Sequence, residues 1–210
     1  MNKLGDLSCN EFLTELASAA PAPGGGGGAA MAGALAAALA SMVANLTIGK
    51  EKFADREPEV KELLEQAEAE RVRLLTLVDE DAAVFNSFMS CYKLPKTTDE
   101  EKAARTAAIR AAAKQAATVP LNIARSSFAV LKLADRLVVA GNPGVITDGA
   151  CSGLLARAAL RCAEYNVRIN LGLTKDEVWN AQAAADLKKL LADAEALETR
   201  LLAVTDKALR

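Results

Sequence analysis

Residues 21–35 read PAPGGGGGAAMAGAL, and the fold turns on how that stretch is read. Pro21 and Pro23 fix φ and stop whatever precedes them. Gly24 to Gly28 have no Cβ, so their backbone can come close to a ligand or to another backbone. Small apolar residues follow at once, and no charge occurs from Leu16 to Gly49. The pattern predicts a buried helix from about Gly27 to Leu46, whose alanines and glycines let a second helix approach at short distance. A helix starting there turns its unpaired N–H groups and positive dipole end into one space, a cradle for an anionic or polar ligand. A flexible linker is the competing reading of the same glycines. Alanine and glycine supply little insertion free energy, so the segment reads as the core helix of a soluble protein rather than a membrane span.

The flanking sequence extends the helical reading. Of 210 residues, 51% are hydrophobic but only 4% aromatic, which favours closely packed helices over a sandwich or barrel. Ser8 and Glu11 have capping-box spacing and open a helix to about Ala20. Thr47 to Arg56 is a polar connection, and Pro58 suits the first turn of a long helix to Tyr92. Thr98 and Glu101 repeat the capping box before a helix to about Thr118, and Pro120 restarts the chain as another helix to Ala140. Gly141 to Gly144 form a turn, and Thr147 or Asp148 caps a helix to about Tyr165. Asn166 to Leu171 alternate polar and apolar and read as extended; Thr174 and Glu177 box the start of the terminal helix. The expectation is all-α: one domain over residues 1–210, a bundle of about seven helices around a buried Ala/Gly-rich central helix.

Charge and residue inventory narrow the chemistry. With 25 basic and 27 acidic residues, nothing marks a nucleic-acid or membrane-surface partner. Cys9, Cys91, Cys151 and Cys162 form no Cys-x-x-Cys pair and there is no histidine, so no metal site is expected. Reduced, buried cysteines and the lack of an apolar leader at the start point to a cytoplasmic protein. Without histidine, acid–base work must fall to Asp, Glu, Lys, Tyr, Cys or water.

Among the carboxylates, Asp81 stands on the apolar stripe of the long helix, between Val78 and Phe85, whereas Asp79 and Glu80 fall off it and look solvated. A carboxylate among apolar neighbours has its pKa raised by desolvation and suits proton transfer near neutrality; pairing with a buried cation is the alternative. Asp148 fits a helix cap as well as a site. Arg157 and Arg161, four apart, fit either a carboxylate ligand or surface acids. Asn166, Arg168 and Asn170 point the same way if that segment is extended, and side-chain amides suit a heterocycle edge. Lys50 follows the buried helix and is solvated by default.

Taken together, residues 21–35, Met42 to Lys50, Asp79 to Phe85, Tyr92 to Lys96, Gly141 to Pro143, Thr147-Asp148 and Asn166 to Leu171 resemble, in order, the cyclodeaminase/cyclohydrolase family of folate enzymes. This is the C-terminal domain type of formiminotransferase-cyclodeaminase, also found as stand-alone methenyltetrahydrofolate cyclohydrolase. The resemblance implies an all-α homodimer whose interface helps shape the folate site. It implies a tetrahydrofolate derivative as substrate and no metal. Asp81 is then the general acid/base, Asp148 an electrostatic partner or anchor, and Lys50 a proton donor or orienting group. Pro23, Gly24, Gly25, Gly26, Asn142, Arg157, Arg168 and Asn170 would hold polar parts of the folate. Gly27-Gly28 depart from the family, which has a serine and a β-branched residue there. No formiminotransferase segment is present, so the expected reaction is 5,10-methenyltetrahydrofolate plus water to 10-formyltetrahydrofolate. The alternatives are the cyclodeaminase reaction, 5-formiminotetrahydrofolate to 5,10-methenyltetrahydrofolate plus ammonia, and a non-catalytic folate-binding or dimerising scaffold.

Overall fold

Six α-helices carry the chain in a computed structural model that describes residues 3–210, with no strand among them: α1 (Cys9–Ala17), α2 (Gly24–Asn45), α3 (Glu57–Cys91), α4 (Asp99–Ala140), α5 (Ile146–Thr174) and α6 (Glu177–Ala208). Short 3-10 turns lie at Leu4–Asp6, Glu51–Phe53 and Pro143–Val145. The boxes at Ser8–Glu11 and Thr98–Glu101 form as expected, each hydroxyl accepting the N–H three residues on.

α2 is the central element, flanked by α3 and α5 and lying over α4. Ala30, Ala36, Ala37, Ala40 and Ala44 are fully buried along it. Their short side chains allow the approach: a Cβ on Gly33 would lie 3.0 Å from both Leu74 Cδ2 and Ser127 Oγ. Larger residues of the neighbours, including Leu74, Ile123, Leu131 and Leu160, close the core around this stripe. The face of α2 turned away from the bundle stays open, with Leu35 52% and Met42 44% exposed.

Five expectations change. Pro120 does not divide two helices; it lies inside the 42-residue α4. A mid-helix proline leaves the carbonyl four residues earlier without its donor. Here that carbonyl, Ala116 O, accepts from Asn170 Nδ2 at 2.9 Å, so α4 runs on and the helices number six. Residues 166–171 are helical rather than extended, because Val167 is fully buried on the same stripe as Leu160 and Ala163. The cap of α6 is Asp176, which accepts from Trp179 N at 3.0 Å, since Thr174 still belongs to α5. The cysteines are free but not buried: Cys9, Cys151 and Cys162 are exposed and Cys91 half-buried. Asp79 is likewise tied down, accepting from Leu4 N at 2.6 Å.

α6 is fastened to α4 by a charged contact. Asp135, buried in α4, receives a two-pronged contact from the Arg200 guanidinium, with Nε donating to Oδ1 at 2.8 Å. Such a fork is the strong form of a carboxylate pair.

Candidate active site

α2 begins at Gly24, three residues earlier than its composition suggests, so the glycine run is the helix's first turn and not a tether. Gly24 has φ +57°, a conformation that favours glycine. The next requirement is steric. A Cβ on Gly26 would stand 2.4 Å from Asp81 Oδ2, so the carboxylate occupies the space that a side chain there would fill. Gly25 faces Asn166 on α5, whose Nδ2 would be 3.6 Å from a Cβ at that position. Asp81, the tip of α2 and Asn166 therefore form one cluster.

No cation partners Asp81 among the described residues. Burial pushes its pKa up to about 6. The Gly27 N–H, whose own hydrogen bond runs to Pro23 O at 3.1 Å, opposes this by favouring the charged form. The result is a carboxylate that is mostly ionised at neutral pH yet readily protonated, held against the first turn of α2.

Lys50, Asn142 and Asp148 gather elsewhere, at the far end of α2. Asn142 fastens that end: its N–H donates to Thr47 Oγ1 at 2.8 Å, its Nδ2 to Leu46 O at 3.1 Å, and its Oδ1 accepts from Gly144 N at 3.0 Å. All of its polar atoms thus serve the fold. Lys50 is exposed five residues after α2 ends, and Asp148 is half-buried in the first turn of α5, where Val145 rather than Thr147 or Asp148 is the N-cap. Neither Lys50 nor Asp148 has a side-chain hydrogen bond or ion pair among the described residues. One turn beyond Asp148, Ser152 Oγ donates to Ala36 O at 2.7 Å, and with Asn166 against Gly25 this makes α5 antiparallel to α2. Asp148 is thus level with about Ala40, about 20 Å along α2 from Gly26 and Asp81 at 1.5 Å per residue, and Lys50 follows the far end of the helix.

Of the two arginines expected to hold the folate, Arg157 pairs with an acid: its side chain is 13% exposed and its Nε donates to Glu198 at 3.2 Å, while its Nη1 is buried without a hydrogen-bond partner among the described residues. Because α5 is helical, Arg168 is turned about 200° from Asn166 at 100° per residue, while Asn166 and Asn170 share a face. Arg168 and Arg161 instead bracket Tyr165 and pair with the buried Glu164. Asn166 is the residue of this cluster that alternation obscured. Its spacing from Cys162 and Asn170, four residues each way, is the helical signal that marks its face.

Comparison with known proteins accords with this architecture. The family model described as formiminotransferase-cyclodeaminase matches residues 8–189. The chain is 44% identical to a methenyltetrahydrofolate cyclohydrolase of Methylorubrum extorquens, over 94% of this chain and 95% of that one. It is 33% identical to the formimidoyltransferase-cyclodeaminase of Sus scrofa, over 88% of this chain but 34% of that longer protein. Its fold matches the crystal structure of a formiminotetrahydrofolate cyclodeaminase from Thermotoga maritima with TM-score 0.88 and 30% identity, covering 98% of both chains.

Proposed function

This chain belongs to the formiminotransferase-cyclodeaminase family, and we propose that it is a methenyltetrahydrofolate cyclohydrolase, working in the cytoplasm as a homodimer. The observation that carries the choice of reaction is its end-to-end likeness to the Methylorubrum cyclohydrolase. The substrate carries a cationic amidinium carbon between N5 and N10. Asp81, mostly ionised near pH 7, balances that charge and takes a proton from the attacking water as the new C–O bond forms. In the tetrahedral adduct the hydroxyl then loses its proton, the C–N5 bond breaks, and N5 gains a proton. The products are 10-formyltetrahydrofolate and one released proton. A lysine ammonium suits the donation to N5, and a second carboxylate suits the orientation of that lysine. Lys50 and Asp148 fill these roles.

Within one copy, Lys50 and Asp148 lie too far from Asp81 to act on the same carbon. The open face of α2 supplies the remedy. Gly28, Leu35 and Met42 recur at seven-residue spacing, the pattern of a helix seam. A twofold axis perpendicular to α2 near Leu35, its midpoint, packs two copies of α2 antiparallel. Met42 of one then lies over Gly28 of the other, and the partner's Lys50 and Asp148 come to the Asp81 end. An axis parallel to α2 would instead stack Asp81 on Asp81 and leave the site incomplete. Only the perpendicular axis yields two whole sites per dimer.

The experiment that tests the activity follows the near-ultraviolet absorbance of 5,10-methenyltetrahydrofolate with and without protein. Loss of absorbance well above the spontaneous rate supports the reading, and the spontaneous rate alone refutes it. A second reading, the cyclodeaminase reaction, is favoured by the Thermotoga neighbour; ammonia release from 5-formiminotetrahydrofolate distinguishes it.

A further inference from the structure

We propose that Asn170 is a specificity-determining residue, whose side-chain oxygen accepts a hydrogen bond from an N–H of the substrate's bicyclic ring system, and that Pro120 is what fixes it in place. The inference rests on the folate reading above. The Asn170 Nδ2 group donates twice, to Ala116 O at 2.9 Å and to Asn166 O at 2.8 Å. Both partners are backbone carbonyls and can only accept. The amide nitrogen must therefore face them, and Oδ1 must face the other way. Both amide hydrogens are committed, whereas Oδ1 has no hydrogen-bond partner among the described residues.

Pro120 is the cause of this commitment. A residue with an N–H at position 120 would close the α4 ladder onto Ala116 O. Proline cannot, so the carbonyl of a half-buried residue stays open for the Asn170 amide. Helix α5 delivers that amide one turn beyond Asn166, which faces Gly25 at the tip of α2. Since α2 and α5 run antiparallel, Asn170 stands one turn of α5 past the Gly25–Asn166 approach, beyond the end of α2 that carries Asp81. An acceptor that cannot rotate into a donor discriminates for a ligand N–H and against a ligand oxygen. The bicyclic ring of tetrahydrofolate presents N–H groups of this kind.

The test separates the structural duty from the recognition duty. Asn170→Ala removes both. Pro120→Ala returns an N–H to position 120 and so relieves Ala116 O without Asn170. In the double variant the helix is whole, and only the Oδ1 acceptor is missing. Melting temperature, kcat and KM for 5,10-methenyltetrahydrofolate are compared across the wild type, both single variants and the double. The expected result in Pro120→Ala is an unchanged melting temperature with KM raised toward the Asn170→Ala value, because the amide loses its Ala116 anchor and can rotate. In Asn170→Ala, melting temperature falls; in the double variant it recovers, while KM stays raised by about three- to tenfold, the loss of one neutral hydrogen bond. A double variant with wild-type KM would overturn the recognition role and leave Asn170 as a helix patch. A double variant still as unstable as Asn170→Ala would overturn the role of Pro120. If the wild type itself leaves methenyltetrahydrofolate unhydrolysed, the activity falls and this role with it.

Discussion

Asp81→Asn should abolish turnover and, at neutral pH, make the protein harder to unfold. Asp81 is held at a pKa of about 6 against an ordinary value of 3.8. The shift of about two units is worth about 3 kcal/mol between the neutral and ionised forms, since each unit is about 1.4 kcal/mol. The sign follows from linkage. A carboxyl whose folded pKa is raised favours the folded state when protonated, and that contribution is lost as pH rises through about 6. At pH 7 the wild type therefore carries a strained carboxylate that asparagine does not. For a chain of this size the gain corresponds to a melting temperature higher by about 5–10 °C. The difference should shrink to about half at pH 5 and nearly vanish below pH 4, where the wild-type group is itself neutral. Turnover should fall by about 10²–10⁴, and in the wild type kcat/KM should rise with pH through about 6. Paired thermal melts across pH with the absorbance assay measure all of this. A variant no more stable than wild type at pH 7, or one that keeps near-full turnover, would refute the account of Asp81.

Three further outcomes follow from the geometry. Gly26→Ala places a methyl 2.4 Å from Asp81 Oδ2; displacement of the carboxylate should cost about 1–3 kcal/mol of stability and depress kcat, measured by denaturant titration and turnover. Arg200→Met leaves the buried Asp135 carboxylate without its partner, and urea unfolding should show a lower midpoint, with recovery on adding Asp135→Leu. Leu35→Glu puts a charge at the centre of the proposed seam; sedimentation should show monomer, and activity should be lost with a wild-type circular dichroism spectrum.

The helical class and the central helix were legible because composition and capping speak locally. Ser8 with Glu11, Thr98 with Glu101, and the uncharged run from Leu16 to Gly49 each specify their own neighbourhood. Pro120 and residues 166–171 misled because their conformation depends on a partner distant in sequence. The Asn170 amide completes α4, and burial of Val167 overrides an alternating pattern. Asp81 was legible from its place on an apolar stripe. The commitment of Arg157 to Glu198 was not, since it joins α5 to α6, and neither were the three hydrogen bonds that tie Asn142 into the fold. Nor does local pattern reveal that Lys50 and Asp148 stand at the opposite end of α2 from Asp81, because that separation is a property of helix length and packing.

Subunit complementation tests most directly whether one site needs two copies. Asp81→Asn and Asp148→Asn proteins, each inactive, are unfolded together in equal amounts, refolded and assayed. Random pairing with one intact site in each mixed dimer should restore roughly a quarter of wild-type activity. Activity no greater than the sum of the two variants, in a preparation shown to contain mixed dimers, would contradict the shared site.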